Sequence, residues 1–332
     1  MNDNVNETIL ELRDLAVEFE SPTGWVRAVD GVSLSVQAGK TLGIVGESGC
    51  GKSVTAMSIV DLLPKPMGRV ATGEVIFKGR DLRKCTNKEL YKVRGAEISF
   101  VFQEPMTALN PVHKIGKQIS EVLLLHTKMT KAEAWAESVR VLAAVGIPAP
   151  EQRATEYPHQ LSGGMRQRVV IAMALVAKPD LLIADEPTTA LDVTVQAEIL
   201  ELIKSLQKSH NMGVVMITHD LGVIAETCDE VVVMYAGRVV ERGSVKDIFE
   251  NPAHAYTQAL LASIPSLDHP GKSELPTIPG TVAAIHDFVD SCRFCQRMER
   301  ENQNLGRPRF IELDSGHWVE DCPECNAQHK KS

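Results

Sequence analysis

The sequence lacks the long apolar segments of a membrane-spanning chain. Its longest apolar run, Val169 to Ala177, is far shorter than the roughly 18–20 residues that a helix needs to cross a bilayer. The first residues, MNDNVNETILELRD, are acidic where a signal peptide would have a basic segment followed by an apolar one. We therefore expect a protein of the cytoplasm that does not itself span a membrane.

The chain also has fewer basic than acidic residues. The chain has 35 Lys and Arg residues against 43 Asp and Glu residues, for a net charge of −8. Since a general nucleic-acid-binding protein needs a positive field, no nucleic acid is expected as a partner. Aromatic residues make up only 5%, but 44% hydrophobic and 23% charged residues are ordinary for a globular protein. The length of 332 residues allows two domains, or one domain with an appendage.

The early and middle parts of the chain have the rhythm of an α/β protein. Alternating segments over 9–36 predict antiparallel strands with a turn at 21–24. The compact segments TLGIVG, LLIADE, VVMITHD and EVVVMYAG predict buried strands, and SVTAMSIVDLL predicts a helix after the first of them. Residues 104–178 are expected to be mostly helical. Prolines recur after 251, so the rest is expected to be a tail or small domain that does not continue the sheet.

A phosphate-binding loop is the strongest motif. Residues 46–53 read GESGCGKS, which fits G-x-x-x-x-G-K-[ST] between a predicted strand and a predicted helix. Backbone N–H groups of such a loop and the helix N-terminus surround the phosphates. Lys52 can neutralise phosphate charge and Ser53 can ligate Mg²⁺. Cys50 fills a variable position, where a thiol could be oxidised. The glycines that allow the turn are Gly46, Gly49 and Gly51.

Two acidic residues end the predicted strand LLIADE. Ligands of an open α/β sheet bind at the carboxyl ends of its strands, so this position is close to the expected phosphate site. Asp185 suits Mg²⁺ binding, directly or through water, and Glu186 suits a base that polarises water.

A second anion site is predicted at LSGGM, residues 161–165, because a serine and two glycines precede a predicted helix from Met165 to Ala177. One chain would then have two phosphate-binding helix ends. Both can serve one nucleotide only if two subunits face each other head to tail.

In this order, GESGCGKS, LSGGM, LLIADE and TTALD resemble the ATP-binding subunits of ABC transporters, over roughly residues 8–330. Within that group the chain is similar to the oligopeptide/dipeptide permease ATPases, through FQEPMTALNP, YPHQLSGGMRQR, MITHDLGV and HAYTQALLASIP. The resemblance implies an α/β P-loop ABC ATPase fold: a RecA-like core with an antiparallel β subdomain and a helical insertion at about 104–178. The nucleotide-binding domain would span 8–251, and a cysteine-containing extension 252–332.

The resemblance also implies roles for single residues. Gln103 is similar to the Q-loop glutamine, Asp192 to the D-loop aspartate and His219 to the switch histidine. Catalysis would fall to Glu186, His219 and Gln103, and Mg²⁺ to Ser53, Gln103 and Asp185. Phe19 resembles the aromatic residue that stacks on adenine, with Trp25 as the alternative. The residues implied in nucleotide binding are Phe19, Gly46, Glu47, Ser48, Gly49, Cys50, Gly51, Lys52, Ser53, Val54, Gln103, Ser162, Gly163, Gly164, Asp185 and Asp192.

Four of the seven cysteines form two C-x-x-C pairs near the C-terminus, at Cys292, Cys295, Cys322 and Cys325. By spacing alone they resemble a four-thiolate zinc site. Some peptide-permease ATPases carry a C-terminal [4Fe–4S] cluster instead, and SCRF and GHWVEDC match the outer ends of that tail, whereas the inner cysteines are spaced differently. An iron–sulfur cluster is therefore the first expectation, with zinc and free thiols as alternatives. His317 is a further candidate ligand, although a surface position is expected for it.

The resemblance implies the ATP-hydrolysing subunit of a bacterial ABC importer, peripheral on the cytoplasmic face of the cell membrane. Its implied cofactors are ATP, Mg²⁺ and the cluster. Its implied partners are a second homologous ATPase, two permease subunits and an extracytoplasmic solute-binding protein. Peptides are the expected solute, with nickel, sugars or opines as alternatives.

Two other classes of protein fit the sequence less well. A soluble ABC ATPase of translation or DNA repair usually has two cassettes or a coiled coil, and a P-loop kinase would lack LSGGM. A regulatory module built on the tail would supplement the ATPase.

Overall fold

The computed structural model describes residues 7–102, 108–188, 192–263, 277–300, 306–314 and 316–326. The chain divides into two compact units. The first comprises Met1–Ile9, Val36–Thr41 and Asp81–Ile217, and the second comprises Leu10–Ser35, Leu42–Arg80 and Thr218–Ser332.

The described residues form twelve strands. They are β1 (Thr8–Ser21), β2 (Gly24–Gln37), β3 (Thr41–Val45), β4 (Gly68–Phe77), β5 (Arg80–Asp81), β6 (Ile98–Val101), β7 (Leu181–Asp185), β8 (Gly213–Ile217), β9 (Glu230–Tyr235), β10 (Arg238–Ser244), β11 (Phe310–Asp314) and β12 (His317–Glu320).

The same residues form eleven α-helices and three short 3₁₀ turns. The helices are α1 (Lys52–Ile59), α2 (Asn87–Val93), α3 (Ile115–His126), α4 (Lys131–Ala144), α5 (Pro150–Ala154), α6 (Gly163–Leu175), α7 (Val193–His210), α8 (Leu221–Thr227), α9 (Val245–Glu250), α10 (Ala255–Ala262) and α11 (Arg293–Arg297). The 3₁₀ turns are Leu82–Lys84, Pro158–Gln160 and Ile285–Asp287.

An antiparallel sheet in the order β2-β1-β4-β5 contributes most of its residues to the second unit. The predicted hairpin of β1 and β2 is confirmed. The strand β4 was not predicted from the sequence; it pairs with β1 from Leu10 opposite Phe77 to Phe19 opposite Gly68. Its alternation is interrupted at Gly73, where φ is +93° and a Cβ atom would lie 2.5 Å from the Asp14 carbonyl oxygen. This irregularity explains why the pattern of a strand is weak there.

The second unit also contains β3, which pairs in parallel with β9, and β10, which pairs antiparallel with β9 and β12. The pairing of β12 with β10 places Val319 opposite Glu241, and β11 follows on the outer side. The expectation that the tail does not continue the sheet is therefore wrong for these two strands. They are only five and four residues long, too short to give a periodic signal among the prolines.

In the first unit, β6, β7 and β8 form parallel pairs in that order. All residues of β7 and β8 are buried, which explains their continuous apolar sequences. The helices α3 and α4 contact each other through the Ser120 and Ser138 hydroxyls, 2.8 Å apart, and through Gly116, where a Cβ atom would lie 2.7 Å from the Trp135 ring. The predicted helical segment is thus confirmed within residues 108–178.

Candidate functional site

The phosphate-binding loop connects β3 to α1, as the motif predicts. Gly46, Gly49 and Gly51 have φ values of +148°, +79° and +102°, which other residues rarely adopt. A Cβ atom on Gly46 would lie 2.2 Å from the Met234 carbonyl oxygen of β9. The first glycine is therefore required by close packing as well as by its backbone angle.

Lys52 lies at the start of α1 and is 7% exposed. Its ammonium group donates to the carbonyl oxygens of Gly46, at 2.8 Å, and Glu47, at 3.0 Å. These bonds hold the cation inside the loop, where a bound phosphate would meet it. Burial raises the pKa of the Cys50 thiol although Lys52 is close, so oxidation through the thiolate is disfavoured at this position.

The acidic strand end lies in the first unit. Asp185 is the last residue of β7 and is 6% exposed, and Glu186 follows with φ of +48°. The Glu186 amide donates to the Ile217 carbonyl at 2.8 Å. Gln167 of α6 donates to the Pro187 carbonyl, a support that the sequence analysis missed because 20 residues separate the two positions.

The signature segment LSGGM begins α6 in the same unit. Ser162 is the N-cap, and its hydroxyl accepts from the Met165 amide at 3.4 Å. Ser162 and Gly163 are exposed, and no atom of the described residues would lie within 4 Å of a Cβ atom on Gly163. The predicted second anion site is therefore an exposed helix N-terminus, and its role stays a prediction.

Two more predicted residues lie at helix ends. Asp192 is the N-cap of α7 and accepts from the Val195 amide at 3.0 Å. His219 is exposed and stands just before Asp220, the N-cap of α8. Both residues are exposed; the predicted roles of Asp192 at a dimer interface and of His219 at the γ-phosphate stay predictions.

Gln103 lies outside the described residues, as do 104–107 and 189–191. Phe19 packs against Gly68, where a Cβ atom would be 2.8 Å from the ring. Trp25 is 41% exposed, with the Arg69 guanidinium 3.9 Å from its ring centre. Phe19 and Trp25 thus both remain candidates for adenine stacking.

The four tail cysteines lie together in the second unit, and all four are buried. Their sulfur atoms are within 4.8 Å of one another, at 3.7 Å for Cys292 and Cys325 and at 3.5 Å from Cys295 to both Cys322 and Cys325. Hydrogen bonds from Cys292, and then from Cys295 and Cys325, hold the pKa of Cys322 below the usual thiol value. The cluster therefore has the donor set of a thiolate metal site.

His254 and Glu320 extend this cluster, although no motif or spacing in the sequence points to either residue. Their ligand atoms lie within 4.8 Å of the Cys292 sulfur and of each other, and both residues are buried. His254 Nδ1 accepts from the Tyr256 amide at 3.1 Å, so the proton of the neutral ring is on Nε2. Burial lowers the pKa of His254 to about 4, which keeps the ring neutral at physiological pH.

His317 is 6% exposed and lies 2.8 Å from Glu241 through Nε2. The expected surface position is therefore wrong, since β12 is part of the sheet. His317 is not among the residues grouped around the cysteines.

Within the part of the chain that the structure describes, no helix combines the length and apolar character needed for a membrane crossing.

Two family profiles match the chain. The profile described as ABC transporter matches residues 29–189, and the profile described as oligopeptide/dipeptide transporter, C-terminal region, matches residues 240–303.

Curated relatives are similar over most of their length. The oligopeptide transport ATP-binding protein OppD of Bacillus subtilis is 56% identical over 82% of this chain and 76% of its own. The dipeptide transport ATP-binding protein DppD of the same organism is 52% identical, over 88% and 87%. OppD of Escherichia coli is 50% identical, over 88% and 86%.

Two solved structures resemble the fold. The ATP-binding cassette MJ0796, a dimer in a post-hydrolysis state bound to ADP and Pi, has a TM-score of 0.64 at 28% identity and covers 71% of this chain and 98% of its own. The cbiO1 protein of Clostridium perfringens, part of the cbiONQ ABC transporter complex, has a TM-score of 0.63 at 28% identity, over 74% and 92%. The antiparallel and parallel sheets and the P-loop described above are consistent with this fold.

Proposed function

The chain belongs to the ATP-binding proteins of oligopeptide/dipeptide ABC transporters, and we propose that its ATP hydrolysis drives the uptake of peptides through a membrane permease. The observation that carries this proposal is the P-loop itself, with Lys52 held inside a glycine turn at the start of α1. The match of residues 240–303 to the peptide-transporter C-terminal region supports a peptide as the solute.

We assign the steps of hydrolysis to the residues named by the motifs. Lys52 and the amides of the loop bind the phosphates, while Ser53, Asp185 and Gln103 hold Mg²⁺. Glu186 polarises the attacking water, and His219 contacts the γ-phosphate. The two signature glycines and Ser162 complete the site of a facing subunit, whose own signature completes this one.

Replacement of the base tests this assignment. We expect Glu186→Gln to lower ATP hydrolysis by about two orders of magnitude or more, because general-base help contributes roughly 10²–10⁴ in rate. Binding of ATP should remain, since the loop and Lys52 are unchanged. Turnover is measured by phosphate release and binding with a fluorescent ATP analogue. Glu226→Gln, an exposed glutamate on α8, is the control and should hydrolyse ATP normally. Near-normal turnover of Glu186→Gln rejects the base assignment.

The transporter assignment requires specific partners. We propose that the chain pairs with a second, homologous ATPase on the cytoplasmic face of the membrane, and that two permease subunits and an extracytoplasmic binding protein complete the importer. Affinity purification of Glu186→Gln with ATP from native membranes, followed by mass spectrometry, should recover two permease chains and a second ATPase. Recovery of this chain alone as the ATPase would reject the heterodimer, and recovery of ribosomal or DNA-repair proteins would reject the transporter.

We further propose that the four cysteines bind a structural metal centre. Four thiolates suit either zinc or an iron–sulfur cluster. The tail motifs favour a [4Fe–4S] cluster. The sulfur spacing of 3.5–3.7 Å favours a single ion, because a tetrahedron with metal–sulfur bonds of about 2.3 Å has edges of about 3.8 Å. The sulfur spacing therefore favours zinc, whereas the tail motifs favour the cluster.

Elemental analysis decides between the two metals. Anaerobic purification should yield either one zinc per chain, or iron and sulfide in equal amounts with the visible absorption of a cluster. Cys295→Ser should lose the metal, whereas Cys85→Ser, outside the group, should keep it. Amounts of iron, sulfide and zinc far below one per chain would refute a metal site.

A further inference from the structure

The C-terminal extension contacts the phosphate-binding loop directly, through Glu47. The Arg297 guanidinium lies 2.6 Å from the Glu47 carboxylate, and the Arg297 side chain is only 4% exposed. The backbone amide of Glu47 donates to the Tyr256 hydroxyl at 2.9 Å. The side chain and the backbone of one loop residue are thus both held by residues of the extension.

Arg297 is held in place by the segment TIPG, residues 277–280. Its Nε donates to the Pro279 carbonyl at 2.8 Å, and its Nη2 donates to the carbonyls of Ile278 and Gly280 at 3.0 and 3.1 Å. A guanidinium with its donors engaged in this way presents one remaining edge to Glu47 in a set direction. The TIPG segment therefore orients this arginine.

Tyr256 is equally constrained. It is fully buried, and its ring packs against Tyr235 and Phe294 with centroids 4.6 and 5.5 Å apart. A hydroxyl on such a ring has little freedom to follow the loop if the loop moves.

Arg297 and Tyr256, which make the two contacts with Glu47, both lie on segments connected to the cysteine cluster. Arg297 ends α11, the short helix that contains Cys295 and is preceded by Cys292. Tyr256 follows Ala255, whose amide donates to the Cys325 carbonyl at 2.7 Å. The positions of α11 and of the start of α10 therefore depend on how the cysteines are held.

The contact between Arg297 and Glu47 matters because Glu47 places a negative charge in the phosphate-binding loop. A carboxylate in the phosphate loop repels the phosphates of a nucleotide bound there unless its charge is compensated, because charges closer together than a Debye length of about 8 Å are incompletely screened. Arg297 supplies that compensation and fixes the first turn of the loop. An error of about 1 Å in the placement of such groups is costly in enzymes.

We propose that Arg297 and Tyr256 are positioning residues for ATP: they hold Glu47 neutralised and the loop in its nucleotide-binding shape, and they link nucleotide affinity to the state of the four-cysteine group. The link to the cysteines rests on the metal centre proposed above, whereas the role of Arg297 and Tyr256 does not.

A double-mutant cycle tests the first part. We expect Arg297→Gln to weaken MgATP binding about tenfold, which is 1.4 kcal/mol, and Tyr256→Phe to weaken it by a smaller factor. Adding Glu47→Gln to Arg297→Gln should restore most of the affinity, because the uncompensated charge is gone. A general loss of folding would not be rescued in this way. Binding is measured by isothermal titration, and thermal unfolding without nucleotide is recorded in parallel.

Arg309→Gln is the matched control, since Arg309 is an arginine of the same extension with an 83% exposed side chain. Tyr91→Phe, at a 67% exposed tyrosine, is the control for the lost hydroxyl. Both should bind ATP normally. Wild-type affinity in Arg297→Gln, or a weak affinity that Glu47→Gln fails to restore, overturns the proposal.

Reciprocity tests the link to the cysteines. If the metal strengthens ATP binding, ATP must strengthen metal binding by the same factor, which is typically about 5–150-fold for coupled sites. Transfer of the metal to a chelator at equilibrium should therefore decrease when ATP is added to the wild type, and should respond much less in Arg297→Gln. Equal transfer with and without ATP in the wild type overturns the link. A protein without metal refutes the metal centre, while the double-mutant cycle still decides the role of Arg297.

Discussion

Single residues of the ATP site could be identified from the sequence because they belong to one contiguous motif. Gly46, Lys52 and Ser53 lie within eight positions, so their joint role is visible without a structure. The partners of Glu47 could not be identified, because Tyr256 and Arg297 are 209 and 250 positions away. No periodicity or spacing reports a contact of that range.

Asp30 is another residue whose importance only the structure reveals. It is 3% exposed, and its carboxylate lies 2.8 Å from both Arg238 and Arg293 and 3.2 Å from Arg307. Burial raises the pKa of Asp30, but the charge and hydrogen bond of Arg238, with Arg307 and Arg293, outweigh it and hold the pKa below its usual value. The stability that follows is present above the ordinary aspartate pKa of about 3.9 and is lost as the pH falls through the folded-state value.

We expect Asp30→Asn to lower the free energy of unfolding by about 3 kcal/mol, because it leaves buried arginines without their counter-charge. Urea titration at neutral pH measures this change. The control is Asp287→Asn, a 61% exposed partner of His286, which should cost about 0–1 kcal/mol. Equal stability of the two variants would show that the arginines find other partners.

At the scale of elements, strands with unbroken apolar sequences were the easiest to predict. The strands β7 and β8 are buried throughout, so their sequences contain almost no polar residues. The helix α1 ends at Ile59, before the predicted end, because the turn after it brings Leu62 back to the Met57 carbonyl. The tail strands β11 and β12 were not predicted because they form by pairing with β10, which is distant in sequence. Nothing in their own short sequences indicates that pairing.

The paired strands β10 and β12 contribute one residue each to a pH-sensitive ion pair, Glu241 and His317. The hydrogen bond with Glu241, helped by the charges of Glu241, Asp247 and Asp314, raises the pKa of His317 against the effect of burial. A raised pKa means that the stabilisation is complete below the unfolded-state value of about 6.5 and is lost as the pH rises through the folded-state value.

We therefore expect His317→Gln to cost about 2 kcal/mol of unfolding free energy below pH 6, the typical value of a hydrogen bond to a charged group, and less at higher pH. Chemical denaturation of the wild type and the variant across this range measures the difference. His286→Gln, at an exposed histidine, should show little effect at any pH. A cost that rises with pH would contradict a raised pKa for His317.

At the scale of the whole molecule, the sequence predicted an incomplete ATP site. Ser162 and Gly163 at the start of α6 are exposed, and the solved structure of MJ0796 is a dimer bound to ADP and Pi. Under the proposal that a facing subunit completes the site, a monomer of this chain should bind ATP without turning it over efficiently. Whether the proposed second ATPase is another copy of this chain or a different chain could not be predicted, because one sequence contains no information about a partner's surface.

We expect Ser162→Arg to keep ATP binding but to lose ATP-dependent pairing, since a long cation would fill the open helix end. Hydrolysis by the assembled importer should fall at least about tenfold, in line with the loss of one transition-state contact. Light scattering with ATP and phosphate release measure the two effects. Ser205→Arg, at an exposed serine of α7, is the control. Normal pairing of Ser162→Arg would place the interface elsewhere.

The network around Asp30 also has a consequence for how the protein is made. Asp30 precedes Arg238, Arg293 and Arg307 by 208, 263 and 277 positions, so it is synthesised well before all three. The network around Asp30 therefore cannot be completed until Arg307 has been synthesised, and a chain interrupted before Arg293 lacks two of these three cations. We expect such fragments to be degraded, so that only chains that extend beyond Arg307 accumulate as folded protein.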